Sequence, residues 1–181
     1  MTIAKTEPLH PSVPVYEVSL VRKYDIPYKK GATVESAASI LHGILDTSPV
    51  EKLISLHMDL DRNIVGAEVV AIGDYDKVGC AFQSVFRGAI AAGVPSIILG
   101  HNHVTGLVAA SDADLTMTGM ALTLGKYVGV EVYDHIIVGP RGEHYSIFDH
   151  RNEVMTQFLR MRVLDALRSL APKDPLAIPI V

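Results

Sequence analysis

Apolar residues along the chain alternate between two-residue and helical spacing, and each change marks a predicted element. "YEVSLV" at 16–21 alternates like a half-buried strand. From Thr33 the apolar positions follow helical spacing until the Ser48-Pro49 pair, which ends the predicted helix. The segments 51–59 and 63–73 flank the turn signal "LDRN" and predict an antiparallel hairpin.

The second half of the chain continues to alternate between helices and strands. An amphipathic helix ending at Gly93 is followed by a short buried strand, a helix from Ser111 and a second hairpin. This order predicts the α/β class, a mixed β-sheet flanked by helices. The predicted ranges are 80–93, 96–100, 111 to about 128, 130–139 with 144–148, and a last helix over roughly 151–170.

Both ends of the chain differ in character from its middle. Residues 1–15 and 171–181 are aperiodic and punctuated by proline, so they are interpreted as an N-terminal arm and a C-terminal tail. The predicted domain covers 16–170. The apolar face of the helix at 151–170 and the apolar tail "LAIPIV" also predict self-association into a homo-oligomer.

Composition narrows the class of protein. The 181 residues suit one domain, and 16 Lys plus Arg against 20 Asp plus Glu disfavour nucleic acid as a partner. The uncharged apolar runs are shorter than the roughly 18 to 20 residues that span a bilayer, so no membrane partner is expected. The N-terminus does not resemble a signal peptide, and the single cysteine, Cys80, excludes an intramolecular disulfide framework and a four-cysteine zinc ribbon. A cytoplasmic location is predicted.

The segment "ILGHNHVTGLVAASDAD" at 98–114 carries the candidate chemistry. His101 and His103 are two residues apart at the end of a strand, so their side chains share a face and can reach one metal ion. Ser111 and Asp114 have a structural interpretation, because Ser at an N-cap with an acid three residues later is close to a capping box. A metal site is the alternative: Asp114, as a third ligand, would leave a fourth position open, which is typical of catalytic zinc.

The spacing His101-x-His103, seven residues, Ser111, two residues and Asp114 resembles the signature of the JAB/MPN (JAMM) metalloenzymes, in particular their RadC-like group. The similarity extends to "LHMDLDRNIVGAEVVAIG", "VFRGAIAAGVPSIILGHNH" and "GVEVYDHIIVGPRGEHYSIFD", and covers about residues 33–150. It implies the JAB/MPN, cytidine-deaminase-like fold. Val104-Thr105 departs from the Pro-Ser usual in that group, and so does "GCAFQSVF"; the ligand positions are unaffected.

The resemblance implies a Zn²⁺-dependent metallopeptidase or isopeptidase. His101, His103 and Asp114 would bind the zinc, the Ser111 hydroxyl would stabilise the oxyanion, and an upstream glutamate would act as general base. Glu51 matches the position of that glutamate in RadC-like sequences, eight residues before Asp59. Glu35 is explained by its place in the first turn of a helix. Glu68 is expected to be an exposed residue of an alternating strand.

The implied substrate is a peptide, a protein or a ubiquitin-like conjugate, cleaved at an amide bond. Two alternatives remain open: a nucleic-acid processing or repair factor, and a non-catalytic MPN scaffold. The net charge of −4 and the lack of a counterpart to the helix-hairpin-helix region of RadC proteins disfavour the first. The retained ligands disfavour the second. His135 is expected in a strand beside the site, in a structural role or in support of a ligand.

Overall fold

The computed structural model describes residues 13–15, 17–27, 33–46, 48–73 and 82–149. The predicted helix at 151–170, the tail at 171–181, Cys80 and most of the N-terminal arm lie outside the described residues. Within these ranges the helices are α1 (Val34–Leu45), α2 (Phe82–Ala92) and α3 (Asp112–Val128), and the strands are β1 (Lys52–Met58), β2 (Ile64–Ile72), β3 (Ser96–Asn102), β4 (Glu131–Val138) and β5 (His144–Ser146).

The strands form one mixed sheet in the order β2-β1-β3-β4-β5. β1 pairs antiparallel with both β2 and β3, β3 and β4 are parallel, and β5 returns antiparallel to β4. The parallel pair is connected through α3, because a crossover is needed to bring two consecutive strands into the same direction. The predicted α/β class with a mixed sheet and flanking helices is confirmed.

Helices cover both faces of the sheet, which explains why every residue of β3 is buried. On one face α1 packs through Ala37 and Leu41 against a cluster that includes Ile98 of β3. On the other face α2 and α3 pack against a cluster that includes Leu99. β3 therefore forms the centre of a three-layer core, and its C-terminal end carries the two histidines of interest.

Local sequence signals mark the start of α1 and the C-terminal ends of α2 and α3. Thr33 caps α1 through a capping box, as predicted for a helix beginning there. The α2 helix stops at Ala92, where Gly93 adopts a positive φ of 64°. Gly129, with φ 74°, ends α3.

The strand predicted at 16–21 is wrong for residues 17–21. These residues have no strand structure and are exposed, including Val18 and Leu20. A segment of alternating apolar residues forms a stable strand only when its backbone pairs with a sheet and its apolar face is buried. The described segment at 17–21 belongs to no strand of the sheet, so its alternation corresponds to no buried face.

Among the described residues, no helix combines the length and apolar character required to cross a membrane.

Candidate metal centre

The two histidines lie where β3 ends. β3 runs two residues beyond its predicted range, so His101 is in the strand and His103 follows directly after it. His101 is fully buried, and its Nε2 lies 3.0 Å from Nε2 of His103. The alternation of side chains along a strand directs both imidazoles to the face that α3 covers, as the spacing predicted.

Asp114 approaches the histidines from the first turn of α3. Its carboxylate accepts a hydrogen bond from the Ser111 backbone N–H, and the Ser111 hydroxyl accepts one from the Asp114 backbone N–H. This reciprocal capping box fixes the carboxylate, whose two oxygens lie 3.1 Å from His101 Nε2 and 3.2 Å from His103 Nε2. The capping box and the ligand geometry coexist, because the cap itself aims Asp114 at the histidines.

The donor set of this cluster fits a metal ion. Nδ1 of His103 lies 2.8 Å from the carbonyl oxygen of Leu107, and a carbonyl can only accept, so Nδ1 carries the proton. Nε2 of the neutral ring then has a lone pair directed at the cluster. One ligand atom each from His101, His103 and Asp114 lies within 4.8 Å of the others, so the three residues could hold one ion.

Electrostatics at the cluster favour positive charge. Burial acts to raise the pKa of Asp114, but the close contacts with His101, His103 and the Ser111 hydroxyl outweigh burial, and the pKa lies well below its usual range. The hydrogen bond to Asp114 raises the pKa of His103, against the opposing effect of burial. A buried carboxylate thus remains charged and requires a compensating cation, either a proton on a histidine or a metal ion.

Glu51 lies in the same cleft as His103, the more exposed of the two histidines. Leu53 of β1 pairs with His101 of β3, and Glu51 precedes Leu53 by two residues, so strand alternation continues towards the site. Glu51 lines a cleft of about 300 Å³ together with His103, Ser111 and Asp114. One carboxylate oxygen of Glu51 lies 3.4 Å from the backbone nitrogen of Val104, a long hydrogen bond. A residue 50 positions upstream of the first histidine thus lines the same cleft as His103 and Asp114.

The Ser111 hydroxyl lines the cleft and is engaged with Asp114. It donates to the Asp114 carboxylate at 2.6 Å while it accepts from the Asp114 backbone N–H. To donate to a substrate oxygen instead, the hydroxyl would have to rotate away from this carboxylate.

Two residues not predicted from the sequence support the site, and a third, whose role the sequence left open, lies against it. The Asn102 amide accepts from the Lys52 N–H at 3.0 Å and donates to the Val50 carbonyl at 3.2 Å, so it holds both neighbours of Glu51. The Thr118 hydroxyl bonds the Asp114 carbonyl, a contact that its i+4 spacing on α3 could have indicated. His135, expected beside the site, is fully buried with Nε2 2.8 Å from Nδ1 of His101.

The other two upstream glutamates lie elsewhere. Glu35 is exposed in the first turn of α1, where it borders a separate cleft of about 470 Å³. Glu68 was expected to be exposed, but only 22% of its side chain is accessible. Its side chain lies beneath α2, against Gly88, and is paired with Arg87. The prediction failed because alternation along β2 identifies two faces, but not which of them a helix covers.

Comparison with known proteins agrees with the fold and the cluster. Residues 32–154 match the family described as RadC-like JAB domain. Proteins named UPF0758 are similar: one from Methanococcoides burtonii is 32% identical over 132 residues, covering 71% of this chain and 57% of the relative. Another, from Finegoldia magna, is 35% identical over 104 residues, covering 58% of this chain and 47% of the relative.

The chain therefore spans about half the length of these curated relatives. The family match covers the whole sheet and includes all three residues of the cluster. With the mixed sheet, its flanking helices and the His-His-Asp cluster, this match shows that the chain belongs to the RadC-like JAB domain family.

Proposed function

We propose that this chain is a zinc-dependent hydrolase that cleaves the amide bond of a peptide or isopeptide. The observation that supports it is the position of Glu51 on the same cleft as His103 and Asp114, with His101 completing the cluster. A carboxylate beside a site able to hold a metal ion is the arrangement that metal-assisted hydrolysis needs. A purely structural zinc site would have four protein ligands.

His101, His103 and Asp114 would hold the ion. A Zn²⁺ ion there would act as a Lewis acid that polarises the scissile carbonyl and brings the pKa of a water towards about 7. Glu51 takes a proton from the attacking water and later delivers it to the leaving amine. The Glu51 side chain lines the cleft, and one of its carboxylate oxygens lies 3.4 Å from the backbone nitrogen of Val104.

The Ser111 hydroxyl supplies a hydrogen-bond donor for the oxyanion that develops on the oxygen of the scissile carbonyl. Its present bond to Asp114 keeps the hydroxyl at the edge of the cleft. Rotation about the Cβ–Oγ bond would direct this proton away from Asp114. The lining of the cleft includes three small side chains, Ala109, Ala110 and Ala113, which leave room for an extended peptide segment or an isopeptide branch.

The proposed partners are therefore a peptide, a protein or a ubiquitin-like conjugate. Self-association and a cytoplasmic location remain predictions from the sequence. Zinc binding without turnover of any amide substrate would favour the scaffold alternative, and turnover restricted to nucleic acid would favour the repair factor.

Metal content tests the first half of the proposal. We expect near-stoichiometric zinc in protein purified without chelators, and its loss in the double variant His101→Ala with His103→Ala. The control is the double variant of two histidines away from the cluster, His42→Ala with His144→Ala, which should keep the metal. Equal zinc in both double variants would contradict the proposed ligands.

Turnover of isopeptide-linked and linear peptide substrates tests the second half. Glu51→Gln keeps nearly the same shape but cannot accept the proton, so we expect a loss of roughly 10²-fold to 10⁴-fold in kcat with zinc content unchanged. Glu35→Gln, at an exposed glutamate outside the cleft, is the matched control and should retain parental kcat. A Glu51→Gln variant as active as the parent would exclude Glu51 as the base.

A further inference from the structure

A chain of buried hydrogen bonds runs behind the metal-binding cluster, on the side away from the cleft. The Thr118 hydroxyl lies 2.6 Å from the Asp114 carbonyl oxygen and 2.6 Å from Nδ1 of His135. Nε2 of His135 lies 2.8 Å from Nδ1 of His101. The chain thus joins α3, β4 and β3, the three elements whose relative position sets the distance between Asp114 and His101.

The direction of each hydrogen bond follows from which of its two atoms can carry a proton. The Asp114 carbonyl can only accept, so the Thr118 hydroxyl donates its single proton there. The Thr118 oxygen must then accept from His135, which places a proton on Nδ1 of His135. Thr118 therefore acts as a fixed acceptor for the His135 ring.

The next hydrogen bond in the chain joins His135 to His101, and its direction can also be assigned. His135 is fully buried and its two ring nitrogens contact the Thr118 hydroxyl and His101 rather than a carboxylate, so a neutral ring is favoured there. A neutral ring protonated at Nδ1 has a lone pair at Nε2, so Nδ1 of His101 must be the donor. Nε2 of His101 is left with its lone pair on the side of His103 and Asp114.

We propose that Thr118 and His135 are positioning residues that hold His101 in the one neutral tautomer able to bind a metal ion through Nε2. We call the hydrogen bonds from Thr118 through His135 to His101 the relay. Without the relay, the two neutral tautomers of His101 become comparable in free energy, and only the one protonated at Nδ1 has its lone pair at the cluster. His103 receives the equivalent restraint from the Leu107 carbonyl, so both histidines are held with Nε2 ready to bind.

This inference rests on the metal-binding part of the proposed function, and its test separates the two. Thr118→Val keeps the shape of the side chain and removes the hydroxyl, whereas Thr118→Ser keeps the hydroxyl and removes a methyl group. The ¹⁵N chemical shifts of His101 in metal-free protein report its tautomer, and competition with a chelating dye reports the Kd for Zn²⁺. Urea unfolding measures the stability of each variant separately.

We expect the parent and Thr118→Ser to show His101 protonated at Nδ1 and to bind zinc with Kd values within about threefold of each other. Thr118→Val should show a mixture of His101 tautomers and a Kd raised roughly 10-fold to 100-fold, the usual cost of losing a group that orients a ligand. His135→Gln retains an amide donor and acceptor and should bind zinc more tightly than His135→Leu.

An unchanged His101 tautomer and unchanged Kd in Thr118→Val would overturn the relay, whatever the activity of the protein. A parent that binds no zinc would overturn the proposed metal site, while a His101 tautomer that still depends on the Thr118 hydroxyl would support the relay on its own. An equal loss of zinc affinity in Thr118→Ser and Thr118→Val would mean that Thr118 contributes only packing, and would refute its assignment as a positioning residue.

Discussion

Gly100→Ala tests the close packing of α1 on the strand that carries the metal-binding histidines. A Cβ at position 100 would lie 2.3, 2.4 and 2.9 Å from the two terminal carbons and Cγ of Leu41. Attractive contact between carbons requires about 3.5 to 4.0 Å, so the gap must open by more than an ångström or Leu41 must leave its rotamer. Leu41 is fully buried, and neither response is free.

We expect Gly100→Ala to lower the free energy of unfolding by about 1–3 kcal/mol, the range for overpacking a filled core. Leu41→Ala should cost about 2–5 kcal/mol, because it leaves a cavity. In the double variant the added methyl group occupies part of that cavity. The double variant should therefore lose less unfolding free energy than the sum of the two single variants, by about 0.5–3 kcal/mol, as for directly contacting residues.

Urea unfolding of the metal-free protein measures all four corners of this cycle. Gly43→Ala within α1 is the matched control, because its Cβ meets only the Ile26 side chain, at 3.0 Å, and helix propensity offsets this by up to about 1 kcal/mol. A Gly100→Ala variant within about 0.5 kcal/mol of the parent, or strict additivity in the double variant, would refute the packing described for α1 and β3.

Two other predictions concern the helix cap and the pH dependence of folding. Ser111→Ala should lower the free energy of unfolding by about 0.5–2 kcal/mol and Ser111→Gly by only a few tenths, because glycine is a tolerated N-cap; equal losses in urea unfolding would contradict the capping role. Burial lowers the pKa of His57, and Glu68 only partly offsets this. The unfolded chain therefore binds this proton first, so the stability contributed by neutral His57 is complete above about pH 6.5 and is lost as pH falls below it. His57→Leu should flatten that decline by at most about 1.4 kcal/mol per pH unit, and an unchanged slope in chelator-treated protein would count against a neutral, buried His57.

Much of the local structure could be predicted from the sequence because it depends on neighbours in the chain. The helical period from Thr33 and the turn signal between β1 and β2 gave α1 and the first hairpin. The capping box at Ser111 gave the start of α3. The same local spacing brought His101 and His103 to one face and placed Asp114 in the first turn of the helix. Each of these features depends on residues two to four positions apart, and the geometry of a helix, strand or cap sets the relative positions of such residues.

Strand pairing decided the rest. Glu51 lines the cleft beside the cluster because β1 lies between β2 and β3 with Leu53 opposite His101, and no periodicity within 51–59 encodes that neighbour. Its assignment from sequence depended on resemblance to a family. Pairing and layer order also left 17–21 outside the sheet and turned Glu68 beneath α2. A side-chain pattern specifies which faces can be buried, but the free energy that selects among them comes from contacts between segments distant in the chain.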